Sequence, residues 1–164
     1  MQSEKNNIAD RELKISRLLN APVELVWEAW TNPEHIANWW GPNGFTTIIH
    51  KMDLVENGDW LLTMYGPDGK NYPNKAVYKE IIPLRKIVFQ HFNPNFITTV
   101  SFEKKNEKTF LEWHMLFETA ELFEAVVKTF KADEGLKQNV EKLSAYLETR
   151  MSENKIPEMK NNIH

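Results

Sequence analysis

Apolar and polar positions recur along this chain with two different periods, and the changes of period divide it into elements. Residues 10–19 mix apolar and polar positions in the manner of a strand. Asn20, Ala21 and Pro22 then open a helix. Proline is tolerated in a first turn, where its missing N–H would have no partner anyway, and Glu24 sits well at the positive end of the helix dipole. Val23, Val26, Trp27 and Trp30 follow at helical spacing. Asn32–Pro33–Glu34 is a second start signal, and the short helix it opens must stop by Gly41–Pro42.

From Thr46 the period becomes two. Thr46–Leu54 reads as a strand, Asn57–Gly58 as a tight turn before the strand Trp60–Tyr65, and Gly66–Pro67–Asp68–Gly69 as another turn before Tyr72–Ile82. Breaks at Pro83–Leu84–Arg85, Asn93–Pro94–Asn95 and Asn106–Glu107 set off Lys86–Phe92, Phe96–Lys104 and Lys108–Phe117. In the last of these Leu111, Trp113, Met115 and Phe117 share a face. In Lys86–Phe92 either Phe89 and His91 or Val88 and Gln90 face inward. Connections this short predict antiparallel neighbours.

Thr119 to about Met151 is helical, with Thr119 available as a cap. Its apolar stripes, Phe123–Val127–Phe130 and Leu136–Val140–Leu143–Leu147, are out of phase. The step from Phe130 to Leu136 turns the face by roughly 240° on an ideal helix, so a break is expected at Ala132–Gly135. The expected organisation is one α+β domain over residues 10–151, with flexible ends at 1–9 and 152–164.

Composition narrows the class. Hydrophobic residues are 41% and charged residues 26% of 164, enough for a sizeable core in one domain. Six Trp and nine Phe either fill that core or line a pocket. A net charge of −3 with interspersed Lys and Glu shows no basic face, so nucleic acid is not an expected partner. The absence of Cys excludes disulfides, thiolate metal sites and Cys nucleophiles. Met1–Asp10 is polar and unlike a signal peptide, and no apolar run approaches the roughly 18 residues of a membrane span. A cytoplasmic location is expected.

A sheet with one apolar face needs a cover, and the C-terminal helical segment is the available one. The stretch Ala21–His35 runs into Trp39–Trp40–Gly41–Pro42, followed by Gly44–Phe45–Thr46, Met64 with Gly66–Pro67–Asp68–Gly69, Glu80–Arg85, and Gly135 with Leu143–Leu147. These motifs resemble the activator-of-heat-shock-protein-ATPase homologue family of the START-like (SRPBCC) superfamily, over about Leu13–Glu148. The resemblance implies a helix-grip fold: a curved antiparallel sheet wrapped on a C-terminal helix, with two short helices after the first strand. It also implies a cavity between sheet and helix. The family's usual Asp-aliphatic-Arg-Gly-Gly reads Asp53–Leu54–Val55–Glu56–Asn57–Gly58 here, so no Arg role carries over and Asn57–Gly58 must make the turn.

The candidate ligand-binding residues are Trp40, Trp60, Met64, Tyr78, Glu80, Phe89, Trp113, Met115, Phe123, Val127 and Phe130. A filled core is the plainer reading of such a set; the resemblance favours a pocket, to which Met and aromatic rings are suited. Both Trp39 and Trp40 can anchor the short helix, or Trp40 can stand at a pocket rim. Burying about 300 Å² of a guest at roughly 25 cal/mol/Å² is worth about 7 kcal/mol before the costs of ordering, which suggests micromolar binding of a lipid-like or polyphenol-like molecule. Glu80 is either a pocket acid sharing a face with Tyr78 or a salt-bridge partner, with Arg85 the nearby cation.

His50, His91 and His114 stand alone without metal-ligand spacing, and no nucleophile signature or phosphate-cradling loop is present, so neither metal nor cofactor is expected. Glu112 and His114 share the face opposite Trp113. Two alternatives to ligand binding follow from the resemblance. One is a chaperone-interacting domain, since the family's name comes from a co-chaperone in which the similar module is the C-terminal part. The other is a cyclase- or dehydratase-type enzyme, with Glu80, Tyr78 and His91 moving protons.

Overall fold

The protein is described here from a computed structural model, which describes the backbone of residues 10–163 and the side chains of residues 10–153. Its elements run β1 (Glu12–Leu19), α1 (Val23–Thr31), α2 (Pro33–Ile36), β2 (Thr46–Met52), β3 (Asp59–Tyr65), β4 (Asn71–Ile82), β5 (Lys86–Phe92), β6 (Phe96–Lys105), β7 (Lys108–Phe117), α3 (Ala120–Phe130) and α4 (Ala132–Ile163). The seven strands form one antiparallel sheet in the order β1-β7-β6-β5-β4-β3-β2. β1 returns across the sheet to pair with β7, from Glu12 opposite Leu116 to Leu19 opposite Thr109. The helix-grip arrangement expected from the sequence is the one observed.

Local chemistry accounts for the boundaries. Asn32 caps α2, its side-chain oxygen accepting from Glu34 N at 2.9 Å, with Pro33 in the first turn. Thr119 caps α3 through Leu122 N at 3.0 Å. Asn57 takes a left-handed conformation (φ 67°) and its N–H donates to Tyr78 O at 2.7 Å, while Tyr78 N–H donates to Gly58 O at 2.9 Å. Gly58 is required there by close approach, because a Cβ would lie 2.0 Å from the Asp53 carbonyl oxygen. The turn therefore forms without the Arg and first Gly that the family usually has.

The C-terminal break falls at Lys131, one residue before the expected stretch. Lys131 is left-handed (φ 51°, ψ 51°) and ends α3, its N–H donating to Val127 O at 2.9 Å. Re-phasing the two stripes is what the break accomplishes. Leu136, Val140, Leu143 and Leu147 of α4 are buried in the core with Trp30, Trp39, Trp113 and Phe102, whereas α3 buries no residue and Phe130 is 72% exposed. The helical backbone of α4 continues past Met151 to Ile163. The expectation for residues 1–9 lies outside the described residues.

Candidate functional site: an aromatic cavity under the helices

Between the concave face of the sheet and the two C-terminal helices lies a cavity of about 800 Å³. Strand periodicity sets its floor. Met115, Thr98 and Phe89 are neighbours across β7, β6 and β5, with Phe117, Phe96 and His91 in the adjacent row. Ala76 continues that row on β4 and Trp60 on β3. Phe89 and His91 thus face inward, which settles the parity of β5. The roof comes from the loop between α2 and β2, from Leu136 and Asn139 of α4, and from Val126 and Phe130 of α3.

Trp39 and Trp40 divide the two roles open to them. Trp39 is fully buried and its Nε1–H donates to Ala29 O at 3.1 Å, anchoring α2 to α1. Trp40 turns into the cavity, stacked on Trp113 (centroids 5.4 Å apart, planes 21° apart) and tilted against Trp60 at 5.0 Å. The loop carrying it is tied to α4 by side chains. Asn139 donates to Trp39 O at 2.7 Å and accepts from Gly41 N–H at 3.1 Å; Gln138 accepts from Asn43 N–H at 3.1 Å. Lys142 donates to Pro42 O at 3.3 Å and Phe45 O at 3.4 Å, and partial burial lowers its pKa. Gly41 itself has φ 104°, which favours glycine.

Of the residues anticipated from sequence, Trp40, Trp60, Met64, Phe89, Trp113, Met115 and Phe130 line the cavity; Tyr78, Glu80, Phe123 and Val127 do not. Tyr78 lies buried behind the Trp60 ring, stacked at 5.7 Å and 10°, and burial drives its phenol pKa well above the ordinary value. Glu80 does not share its face. A register shift between Tyr78 and Glu80 reverses the strand's parity, so that Ile81 packs on the core and Glu80 points outward, paired with Lys86 at 2.9 Å rather than with Arg85. Phe123 packs edge-on against Phe117 (5.6 Å), and Val127 is half-buried on α3 outside the lining.

Several contributors to the site were not anticipated, and two of them are polar and buried. Thr98 is fully buried at the centre of the floor. Its signal was a single hydroxyl in the alternation Phe96–Thr98–Val100–Phe102. Asn139 was the polar member of an otherwise apolar helical stripe, three residues after Leu136 and four before Leu143.

The interior carries no net charge. The charged lining residues, Lys131 and Glu134, are exposed at the mouth. His91 stacks on Phe96 at 4.5 Å, and burial lowers its pKa toward the neutral ring against the opposing pull of the Pro94 carbonyl. Trp60 Nε1, Trp113 Nε1 and Thr98 Oγ1 are buried and have no protein hydrogen-bond partner. Glu80, Tyr78 and His91 are not assembled into an acid–base group, since each meets a different environment. Among the described residues no cluster of three or more His, Cys, Asp or Glu could hold a metal, and no helix is long and apolar enough to cross a membrane.

A seven-stranded antiparallel sheet gripping C-terminal helices over an uncharged aromatic cavity defines a START-like protein. The chain belongs to the family described as Activator of Hsp90 ATPase homolog 1-like protein, whose sequence model matches residues 20–148. No curated protein matches the chain. Among solved structures it is similar to a protein from Arthrobacter aurescens (TM-score 0.82, 20% identity, covering 87% of this chain and 89% of that one). A protein from Nitrosomonas europaea has TM-score 0.79 and 20% identity, covering 88% and 98%. The AHSA1-like protein from Aeromonas hydrophila has TM-score 0.67 and 20% identity, covering 84% and 94%. At these identities the likeness is one of fold.

Proposed function

We propose that the chain binds a small apolar or aromatic molecule, lipid-like or polyphenol-like, in the cavity between sheet and helices, without transforming it. One observation carries the reading: a space of about 800 Å³ walled by aromatic rings and Met side chains, with its charged residues confined to the mouth. The proposed contacts are Trp40, Trp60, Met64, Phe89, Trp113 and Met115, with Phe130 at the entrance; the proposed setting is the cytoplasm. Native mass spectrometry of freshly purified protein tests this directly. A bound mass, or binding within a lipid and polyphenol panel, is expected; no retained mass and no binding across the panel would remove the reading.

A second reading, a chaperone-interacting domain, draws on the family description, which names an activator of the Hsp90 ATPase. Among the comparisons that description speaks for this reading more directly than for the first. Retention of the chain on immobilised Hsp90, and a change in that chaperone's ATP hydrolysis, are the expected signs. Neither observed at tens of micromolar chain would dismiss it.

A further inference from the structure

Away from the cavity, three side chains from three helices meet in a chemically ordered row. His35 of α2 places Nε2 3.0 Å from the Glu28 carboxylate of α1 and Nδ1 2.5 Å from the Tyr146 hydroxyl of α4. A carboxylate only accepts, so in the neutral ring the proton sits on Nε2 and the Nδ1 lone pair faces the phenol. Tyr146 must then donate to it. The order is carboxylate, imidazole, hydroxyl. In such a row a base oriented by an acid takes the proton of the hydroxyl as its oxygen attacks.

The surroundings suit that role. Burial raises the Tyr146 pKa, and the Glu153 and Glu28 carboxylates raise it further against the opposing pull of Arg150. The phenol therefore keeps its proton at neutral pH and becomes a nucleophile only where a base removes it. Arg150, one turn further along α4, brings positive charge to the same helix face, where a developing oxyanion would need it. Its Nη1 also meets Glu153 at 3.2 Å. Glu28 is 54% exposed and Tyr146 is half-buried, so the row is open to small molecules from solvent. None of the three residues lines the cavity.

We propose that Tyr146 is a covalent modification site, a phenol that accepts acyl groups from activated esters, with His35 as its base and Glu28 positioning the imidazole. In the step a bond forms between Tyr146 Oη and the ester's carbonyl carbon, and that carbon's bond to the leaving oxygen breaks. The phenol proton passes to His35 Nδ1 and then to solvent, and the leaving group departs with the bonding pair. The product is an aryl ester that stays on the chain, so this is modification at one site rather than turnover. It is independent of the cavity and of any guest.

p-Nitrophenyl acetate, added to the full chain, provides the test. Peptide mass spectrometry follows acetylation of each tyrosine with time. Tyr65 and Tyr72, half-buried likewise and hydrogen-bonded to no imidazole among the described residues, serve as references in the same molecule. Tyr146 is expected to be acetylated at least about tenfold faster than either, a modest share of the roughly 10²–10⁴-fold that a positioned base contributes. Its rate should level off as pH rises, following the neutral imidazole, while theirs go on climbing with the phenolate. His35→Gln should remove the preference. Glu28→Gln, at a half-exposed carboxylate, should lower it at unchanged unfolding free energy, and keeps the test open should His35→Gln fail to fold. Acetylation of Tyr146 no faster than that of Tyr65 and Tyr72, or at the parent's rate in both variants, would overturn the proposal and leave the three side chains as a tie between helices.

Discussion

Asn139 holds Gly41 by a hydrogen bond between chain segments almost a hundred residues apart: the Gly41 N–H donates to its side-chain oxygen at 3.1 Å, and the same carboxamide donates to Trp39 O at 2.7 Å. The side chain is buried, so the bond joins helix α4 to the loop that aims Trp40 into the cavity. Asn139→Leu keeps the number and branching of the side-chain heavy atoms, though its methyl groups are bulkier, and removes both bonds, leaving a buried N–H and a buried carbonyl unpaired. A loss of about 2–4 kcal/mol is expected in urea unfolding. Binding of any cavity guest should weaken with it, because the roof loses its tether. A variant as stable as the parent would show that the loop does not depend on this clasp.

The turn before β3 makes a sharper steric prediction. A Cβ on Gly58 would lie 2.0 Å from the Asp53 carbonyl oxygen, a backbone atom that cannot rotate away. Gly58→Ala should cost more than about 2 kcal/mol, even though the exchange by itself favours folding by about 0.4–1 kcal/mol through the lower entropy of the unfolded chain. Asn57→Gly, at a position already left-handed (φ 67°), should change stability by less than about 1 kcal/mol. Thermal unfolding of the pair distinguishes a clash from a conformational preference.

These positions show what the sequence carries and where it stops. Periodicity, the capping residues and the turn signals located every strand and helix, because each depends on neighbours within a few residues. Inward positions were legible, since Trp60, Met64, Trp113 and Met115 follow from strand alternation, whereas the inward face of β5 with Phe89 was open and the cavity itself was implied only by the family resemblance. Glu80 was misplaced because one register shift after Tyr78 inverts that alternation, and a bulge leaves no mark in composition. Phe123 and Val127 were misplaced for a different reason. Helix α3 buries none of its residues, so its apolar stripe does not mark a cavity-lining face as a buried stripe would. Asn139 was visible only as a polar residue in an apolar stripe, and its partners lie on a distant loop.

The misplaced Glu80 gives a prediction opposite to the one an acid in the pocket would give. Its carboxylate meets Lys86 Nζ at 2.9 Å on the outer face, with the two side chains 46% and 35% exposed. Pairs of this kind contribute about 0–1 kcal/mol. Glu80→Gln should therefore shift stability by no more than about 1 kcal/mol, and should leave the affinity of a cavity guest unaltered. A tenfold change in that affinity would mean that the carboxylate reaches the interior after all.

Phe130 separates stability from binding in the reverse sense. It lines the cavity and is 72% exposed, so it adds little to folding and stands where a guest, if bound as proposed, would enter. Phe130→Ala is expected to leave the unfolding free energy within about 0.5 kcal/mol of the parent. Stopped-flow tryptophan fluorescence should show faster release of a bound probe from the variant. Unchanged release would assign the ring no part in closing the mouth.

His91 couples the cavity wall to pH. Its Nδ1 meets Pro94 O at 2.9 Å and its Nε2 meets the Asn74 carboxamide, while the ring stacks on Phe96. Burial disfavours the imidazolium more than the Pro94 carbonyl favours it, so the folded pKa lies below the ordinary 6.5. Between the folded and unfolded pKa values the unfolded chain then binds more protons than the folded one, and stability rises with pH. The contribution is present above about pH 6.5 and is lost as pH falls through the folded value. Chemical denaturation of parent and His91→Gln at intervals from about pH 7.5 to about pH 5, a range that brackets the ordinary His pKa, isolates it. The parent should lose stability over that range more steeply than the variant. Parallel profiles would mean that His91 takes up its proton as readily in the folded wall as in the open chain.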